Sequence, residues 1–220
     1  MKNIFGFLLV AISSAIIAGG VYAQCPTPKD CPGDPYNGPF YRTIPLSPTC
    51  SLRYEYCWRT AHCVGGLMDT YIGDLELVGD CDAFKDDILM NLNTYLQACH
   101  DDVVLNVDPW NFQNGSDMPE CCPPSSSPCW TDWFWRQGNY TCYTDWYWDT
   151  WKQAWVSTEC DVENPGSCWH MTKYCWYMEE GPSGPIKKYK SESDFWEGTN
   201  ICPPLGGPND DLECHPSCDH

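Results

Sequence analysis

The chain has 220 residues, with 17 Cys, 12 Trp, and 30 acidic side chains against 12 Lys and Arg, giving a formal charge of −18. Nucleic acid and anionic membrane surfaces are poor partners for such a chain, because both are bound by clustered Lys and Arg. The cysteine content excludes an ordinary reduced cytosolic protein, and the ring and cysteine content excludes a disordered one.

Met1-Lys2-Asn3 is a short positive start, Ile4 to Ala18 is almost wholly apolar, and Val21-Tyr22-Ala23 offers the small residues that signal peptidase cleaves after. Residues 1–23 therefore read as a secretory signal peptide, with an apolar run shorter than the roughly 20 residues of a spanning helix. The expected location is secreted or extracytoplasmic (periplasmic, cell surface or extracellular), with no membrane span after signal cleavage.

Residues 24–49 are crowded with Pro and Gly and read as an irregular arm. Residues 50–122 read as a hairpin-plus-helix lobe. Within it, Leu52, Tyr54, Tyr56 and Trp58 alternate with Arg53, Glu55, Cys57 and Arg59, a strand pattern. Gly65-Gly66 marks a turn into a second strand, Leu67 to Val78, whose strict alternation places Met68, Thr70 and Ile72 on one face and Tyr71, Leu75 and Leu77 on the other. From Asp82 to Asp101 the apolar residues recur at three- and four-residue steps, which predicts one amphipathic helix over about residues 82–101, capped by Asp82. Cys99 on its apolar face is placed to tie it to the hairpin. Val103 to Val107 reads as a short strand, Asp108 to Glu120 as a polar loop, and residues 123–128 as a Pro/Ser linker between two lobes.

Residues 129–220 read as a Trp-rich β lobe with a Cys-rich tail. Cys129-Trp-Thr-Asp-Trp-Phe-Trp135 returns as Cys142-Tyr-Thr-Asp-Trp-Tyr-Trp148, and with Gly138-Asn139 between them the simplest reading is a hairpin of two duplicated strands. Ala154 to Asp161 and Ser167 to Glu179 suggest a second hairpin, and Ile186 to Lys190 a fifth strand. The expected fold class is α+β: disulfide-rich, mainly antiparallel β hairpins with one amphipathic helix.

The disulfide candidates are Cys25, Cys31, Cys50, Cys57, Cys63, Cys81, Cys99, Cys121, Cys122, Cys129, Cys142, Cys160, Cys168, Cys175, Cys202, Cys214 and Cys218. Their odd number leaves one thiol over, an intermolecular joint or a free cysteine. Adjacent Cys121 and Cys122 are expected to pair with two different partners, since a vicinal bridge strains the backbone.

Trp130, Trp133, Trp135, Trp146 and Trp148, with Asp132 and Asp145, form the candidate ligand-binding set, in which rings stack on sugars and carboxylates accept hydroxyl hydrogen bonds. The bland alternative is that these rings are the core of a chain short of aliphatics. Asp108, Asn111, Asn114 and Asp117 offer hard oxygens for calcium, and His215 and His220 in the tail offer imidazoles for a transition metal, though neither group has a standard ligand spacing. The expectation is no cofactor, with calcium the ion to test first. Asn114-Gly-Ser116 and Asn139-Tyr-Thr141 fit the N-glycosylation triplet.

No nucleophile elbow, zinc-protease helix or phosphate loop is present, so the chain reads as no enzyme. The leading expectation is a secreted, acidic, disulfide-stabilised, non-catalytic structural or surface-interaction protein. Its partner is unknown: a glycan, or self through an intermolecular disulfide. The first alternative is a carbohydrate-binding module using the Trp130–Trp155 face. The second is a secreted hydrolase, which requires two carboxylates converging in one cleft.

Overall fold

The computed structural model describes residues 25–26, 31–64, 67–109, 120–121, 134–140, 142–160, 167–182, 184–197, 202 and 213–217. The expected signal peptide, the Gly65-Gly66 turn and the 123–128 linker lie outside them.

Ten strands are described: β1 (Asn37–Pro45), β2 (Cys50–Ala61), β3 (Leu67–Gly79), β4 (Phe134–Tyr140), β5 (Cys142–Thr144), β6 (Tyr147–Asp149), β7 (Ala154–Ser157), β8 (Ser167–Gly181), β9 (Gly184–Glu197) and β10 (Cys214–Pro216). Two helices, α1 (Lys85–Met90) and α2 (Leu92–Asp102), follow β3. One eight-stranded sheet runs β1-β2-β3-β4-β8-β9, with β7 also on β3 and β6 on β7, while β5 and β10 make a separate pair. The pairing is antiparallel except between β3 and β4. This is an α+β, disulfide-rich fold, compatible with an extracellular protein. Among the described residues no helix is long and apolar enough to cross a membrane.

The β2–β3 hairpin forms as its alternation predicts, but with one correction of phase. Ile72 pairs with Tyr56 and Leu75 with Tyr54, so the register shifts around Gly73-Asp74. An extra residue in one strand flips the side-chain parity beyond it. Ile72, Leu75 and Leu77 therefore share one face, buried with Leu52, Tyr54 and Tyr56 under Ile88, Leu92 and Leu96 of the helices.

The helical segment is also less regular than its periodicity suggests. Asp82 does not cap it; a 3-10 turn, Asp82–Phe84, comes first, with no side-chain cap bond, and Asp82 pairs with Lys85 at 2.8 Å. Asn91 (φ −120°) breaks α1 from α2, its amide group bonding back to Asp87. Val103–Val107 is not a strand but a π-helical turn that continues α2 and buries Val103 and Val104.

The duplicated motif does not make a hairpin. Phe134–Tyr140 passes straight through Gly138-Asn139 as β4, between β3 and β8. The second copy splits between β5, which pairs with β10, and β6, which pairs with β7. Gly138 serves packing instead of turning: the Trp169 ring lies against it across the β4–β8 pair, where a Cβ would collide. Nor do β7 and β8 form the expected second hairpin; β8 pairs with β4 and β9, and β9 is longer than the expected 186–190 segment. The arm of residues 24–49 likewise contains a strand, β1, on the edge of the sheet. An edge tolerates its prolines because the outward backbone groups need no partner strand.

What joins the two halves of the chain is an ionic row. Arg59, Asp69 and Arg136 are direct cross-strand partners on β2, β3 and β4. Asp69 is fully buried; its carboxylate accepts from Arg59 Nε at 2.6 Å and from Arg136 Nε and Nη2 at 3.0 and 2.6 Å. Each guanidinium also faces a ring, Arg59 over Tyr36 and Arg136 over Trp169. Arg59 Nη1 reaches the carbonyls of Cys31 and Asp34, drawing the N-terminal arm onto the same row.

Six bridges are described: Cys25–Cys57, Cys31–Cys63, Cys50–Cys81, Cys121–Cys175, Cys142–Cys202 and Cys160–Cys214. Cys121 thus pairs with β8 and not with its neighbour Cys122. Cys168 is disulfide-bonded as well. Cys99 is the one free cysteine among the described residues, and it is buried in the helix–sheet core. It neither ties the helix to the hairpin nor offers an intermolecular joint. Burial first, then the carboxylates of Asp102 and Asp101, push its thiol well above the usual range.

Two outcomes follow from this packing. Replacing Asp69 with Ala leaves two guanidinium groups facing each other, and chemical unfolding is expected to show a loss of about 3–5 kcal/mol. Intact mass after alkylation of the native protein is expected to show Cys99 unmodified, with its label appearing only after denaturation; labelling of Cys99 in the native state would contradict its place in the core.

Candidate functional site

The sheet forks on β3. Met68 to Ile72 pair with β4, Leu75 to Leu77 pair with β7, and Gly73-Asp74 stand between the two branches. The bulge that corrects the parity of β3 also aims Asp74 and Glu76 to the face away from the helices, where Glu55 and Arg53 of β2 lie. Gly73 makes room for this, since a Cβ there would sit 3.0 Å from Glu55 Oε1.

Three buried carboxylates gather at the fork. Asp74 accepts from Thr158 Oγ1 at 2.5 Å, Lys152 Nζ at 3.3 Å and Tyr140 Oη at 3.5 Å. Glu76 is paired with Arg53 and with Lys152 Nζ at 2.8 Å. Glu55 accepts from Tyr41 Oη at 3.0 Å. Three acids thus face two cations. Burial, and next the charge of Asp74, push the Glu55 carboxyl up to about 7, against the opposing pull of Tyr41 and Lys152. Lys152 keeps its charge despite partial desolvation, because the Glu76 hydrogen bond and the Asp74 charge raise its pKa.

Lys152 also fixes what lies above it. It belongs to the turn between β6 and β7, where the Asp149 carboxylate accepts the backbone N–H groups of Trp151 and Lys152 at 2.7 and 3.0 Å. A carboxylate that folds its own turn this way stabilises it locally. With Lys152 anchored in the fork, Trp151 projects outward and is 96% exposed. Trp148, 50% exposed, stands edge-on to Trp155 with ring centroids 5.5 Å apart. Trp155 is held in turn by Lys85 Nζ, 3.2 Å above its ring. The hairpin is an anchored mount carrying two wet indoles.

The sequence-derived ligand set separates in space. Trp130, Asp132 and Trp133 lie outside the described residues. Trp135 is fully buried against Tyr174, and Trp146 is buried with its Nε1 donating to the Lys85 carbonyl at 3.0 Å, so both are core rings and not surface platforms. Trp148 alone of the described rings in that set is exposed. Asp145 lies in hydrogen-bond contact with His215 Nε2 at 2.6 Å. Of the calcium set, Asp108 ends the π turn in a left-handed conformation (φ 47°), and Asn111, Asn114 and Asp117 lie outside the described residues, as does His220. Asn139 of the second glycosylation triplet is buried, its amide donating to Ser217 Oγ and the Tyr140 carbonyl, so it is no glycan acceptor in the folded chain. His100 and His170 are buried as well. Burial holds both neutral, with the pKa of His170 lowered to about 4.

Glu55, Asp74, Glu76, Lys152 and Trp151 were not singled out by sequence reasoning. The signal available was weak: charged residues on the non-helical face of two strongly alternating strands, and a Lys directly after Trp151 within the aromatic run. No known protein family matches the chain, and neither a curated protein nor a solved structure is similar to it.

The fork makes stability depend on pH. Unfolded Glu55 loses its proton near 4.5, whereas the folded group keeps it to about 7. The folded chain therefore binds more protons through that window, and this group's contribution to stability falls as pH rises across it. Buried His100 and His170 act oppositely, their contribution falling as pH drops from about 6.5. Glu55→Gln is expected to remove the loss on the alkaline side and to stabilise the protein at pH 8 by about 1–3 kcal/mol. Urea unfolding between pH 5 and 8 tests this, and an unchanged slope would show that Glu55 titrates normally.

Proposed function

We propose that this is a non-catalytic extracellular binding protein that holds a neutral polysaccharide against the β6–β7 hairpin through Trp148 and Trp151. The observation that carries the reading is an almost fully exposed Trp151 beside a half-exposed Trp148 on a turn whose Lys152 is anchored to the buried carboxylates of Asp74 and Glu76. Two neighbouring indoles open to solvent on a turn fastened by ion pairs favour a contact role. The apolar face of a sugar ring suits an indole, and a stiff mount lowers the ordering cost of binding. The formal charge of −18 favours neutral over anionic glycans.

A secreted hydrolase is the second reading, supported by Glu55 and Asp74, a carboxyl that titrates near neutrality beside a second carboxylate. Both are almost wholly buried beneath Tyr41 and Lys152, which favours a role within the fold over one on a substrate.

Affinity electrophoresis in gels of xylan, galactomannan or hydroxyethyl cellulose, with Trp fluorescence titration, tests the binding reading. Retardation by at least one polymer is expected, with Trp148→Ala and Trp151→Ala each weakening it about tenfold. The melting temperature of Trp151→Ala is expected to match that of the parent. No retardation by any polymer, or full retardation of the double variant, would sink the proposal; release of new reducing ends would favour the hydrolase.

A further inference from the structure

A second cluster lies away from the fork, on the small β5–β10 sheet. Cys214 pairs with Thr144 and His215 with Tyr143. The Asp145 N–H donates to the Glu213 carbonyl at 2.9 Å, which carries the ladder one step further and sets Asp145 opposite Glu213. Residues two apart on a strand share a face. Glu213 and His215 therefore point the same way as Asp145, and one donor atom from each lies within 4.8 Å of the others. Residues far apart in the sequence, from the second copy of the aromatic repeat and from the tail, thus converge on one spot.

We infer that Asp145, Glu213 and His215 form a binding site for a first-row divalent metal ion, with zinc as the representative. The donor set is one imidazole nitrogen and two carboxylates, all within the usual ligands of such ions. His215 directs Nε2 into the group, where it meets Asp145 at 2.6 Å. The two carboxylates carry two negative charges, which a divalent ion balances. Donors around a tetrahedral ion bonded at about 2.0–2.2 Å stand roughly 3.4 Å apart, so Asp145 and His215, now hydrogen-bonded at 2.6 Å, must part slightly to admit the ion, while Glu213, whose donor lies within 4.8 Å of theirs, moves to complete the set. The exposed Glu213 side chain has the freedom to supply that movement.

The backbone beneath is braced. Cys214, next to His215, is bridged to Cys160, and Cys142 at the start of β5 is bridged to Cys202. Ligands on a cross-linked frame lose little entropy on binding. Asp145 and His215 are also only partly buried, at 38% and 27% side-chain exposure, so solvent reaches the ion position. Three protein ligands with an open side leave room for water or an external group, the pattern of an ion that meets a ligand rather than one sealed into the fold.

Isothermal titration of the oxidised full chain with zinc chloride tests the site, with cobalt(II) absorption as a second readout of imidazole and carboxylate ligation. One zinc ion per chain is expected. His215→Ala and Asp145→Asn are each expected to weaken it by at least about tenfold, and Glu213→Gln to weaken it less, because water can replace an exposed ligand. Near-ultraviolet circular dichroism of Asp145→Asn, a near-isosteric change, separates a lost ligand from a lost fold. His220→Ala is expected to bind as the parent does. No zinc binding, binding unchanged in His215→Ala, or binding abolished by His220→Ala alone would overturn the assignment.

Discussion

A single carboxylate in one cross-strand row holds the architecture together. Asp69 lies between Arg59 and Arg136, directly opposite one on each side, at the place where β4 joins β3. That parallel junction is short, running from Met68 to Ile72 on β3, and parallel pairing is the less stable kind per residue. A slip of one residue would move Asp69 to the opposite face and leave both arginines without it. Burying three charges is costly in itself, so their value lies in specifying the register and not in raw stabilisation. The Cys31 and Asp34 carbonyls, bonded to the same Arg59, bring the N-terminal arm under the same constraint.

Once β4 is fixed, the fork follows. β4 leaves β3 at Ile72, and β7 takes over the edge from Leu75. The gap between them opens a polar position in the middle of the sheet, filled by Asp74. Polar groups from three segments close on it: Tyr140 at the end of β4, Thr158 after β7 and Lys152 from the β6–β7 turn. The same lysine reaches Glu76, so one cation serves two acids and orders a turn that has little apolar packing of its own. Electrostatics inside the sheet thus supports the exposed indoles above it. The carboxyl that lacks a cation, Glu55, is relieved by keeping its proton toward neutral pH.

The cysteine framework divides labour with these ionic anchors. Bridges tie the arm to β2, close the base of the β2–β3 hairpin just before the helical segment, and tie the tail to the strands around β5. Such cross-links act chiefly by restricting the unfolded chain, and they leave register to the side chains. Cys99 shows that a cysteine in a bridge-rich chain can still be an ordinary core residue, packed with Leu96 and Val103.

Disulfide richness, antiparallel strand content, the β2–β3 hairpin and a helical stretch after residue 81 were legible in the sequence, because composition and short-range periodicity report on them directly. Other features depended on contacts between distant residues. Gly138-Asn139 has the local chemistry of a turn, yet β3, β8 and the Trp169 ring draw it into a central strand. The two near-identical aromatic motifs, free to pair with each other by local criteria, were separated by the partners each found, β8 for one and β7 and β10 for the other. Alternation gave each ring two faces but could not say which was wet; Trp135 and Trp148 differ because one lies inside the sheet and the other on an outer hairpin. The bulge at Gly73-Asp74 reversed the parity of half a strand, and with it the environment of the acids at the fork. Local propensity and pattern are properties of neighbouring residues, and they set the kinds of element this chain makes. Which elements meet, and therefore which carboxylates, indoles and imidazoles share a site, is decided by long-range pairing, whose energy no short window of sequence contains.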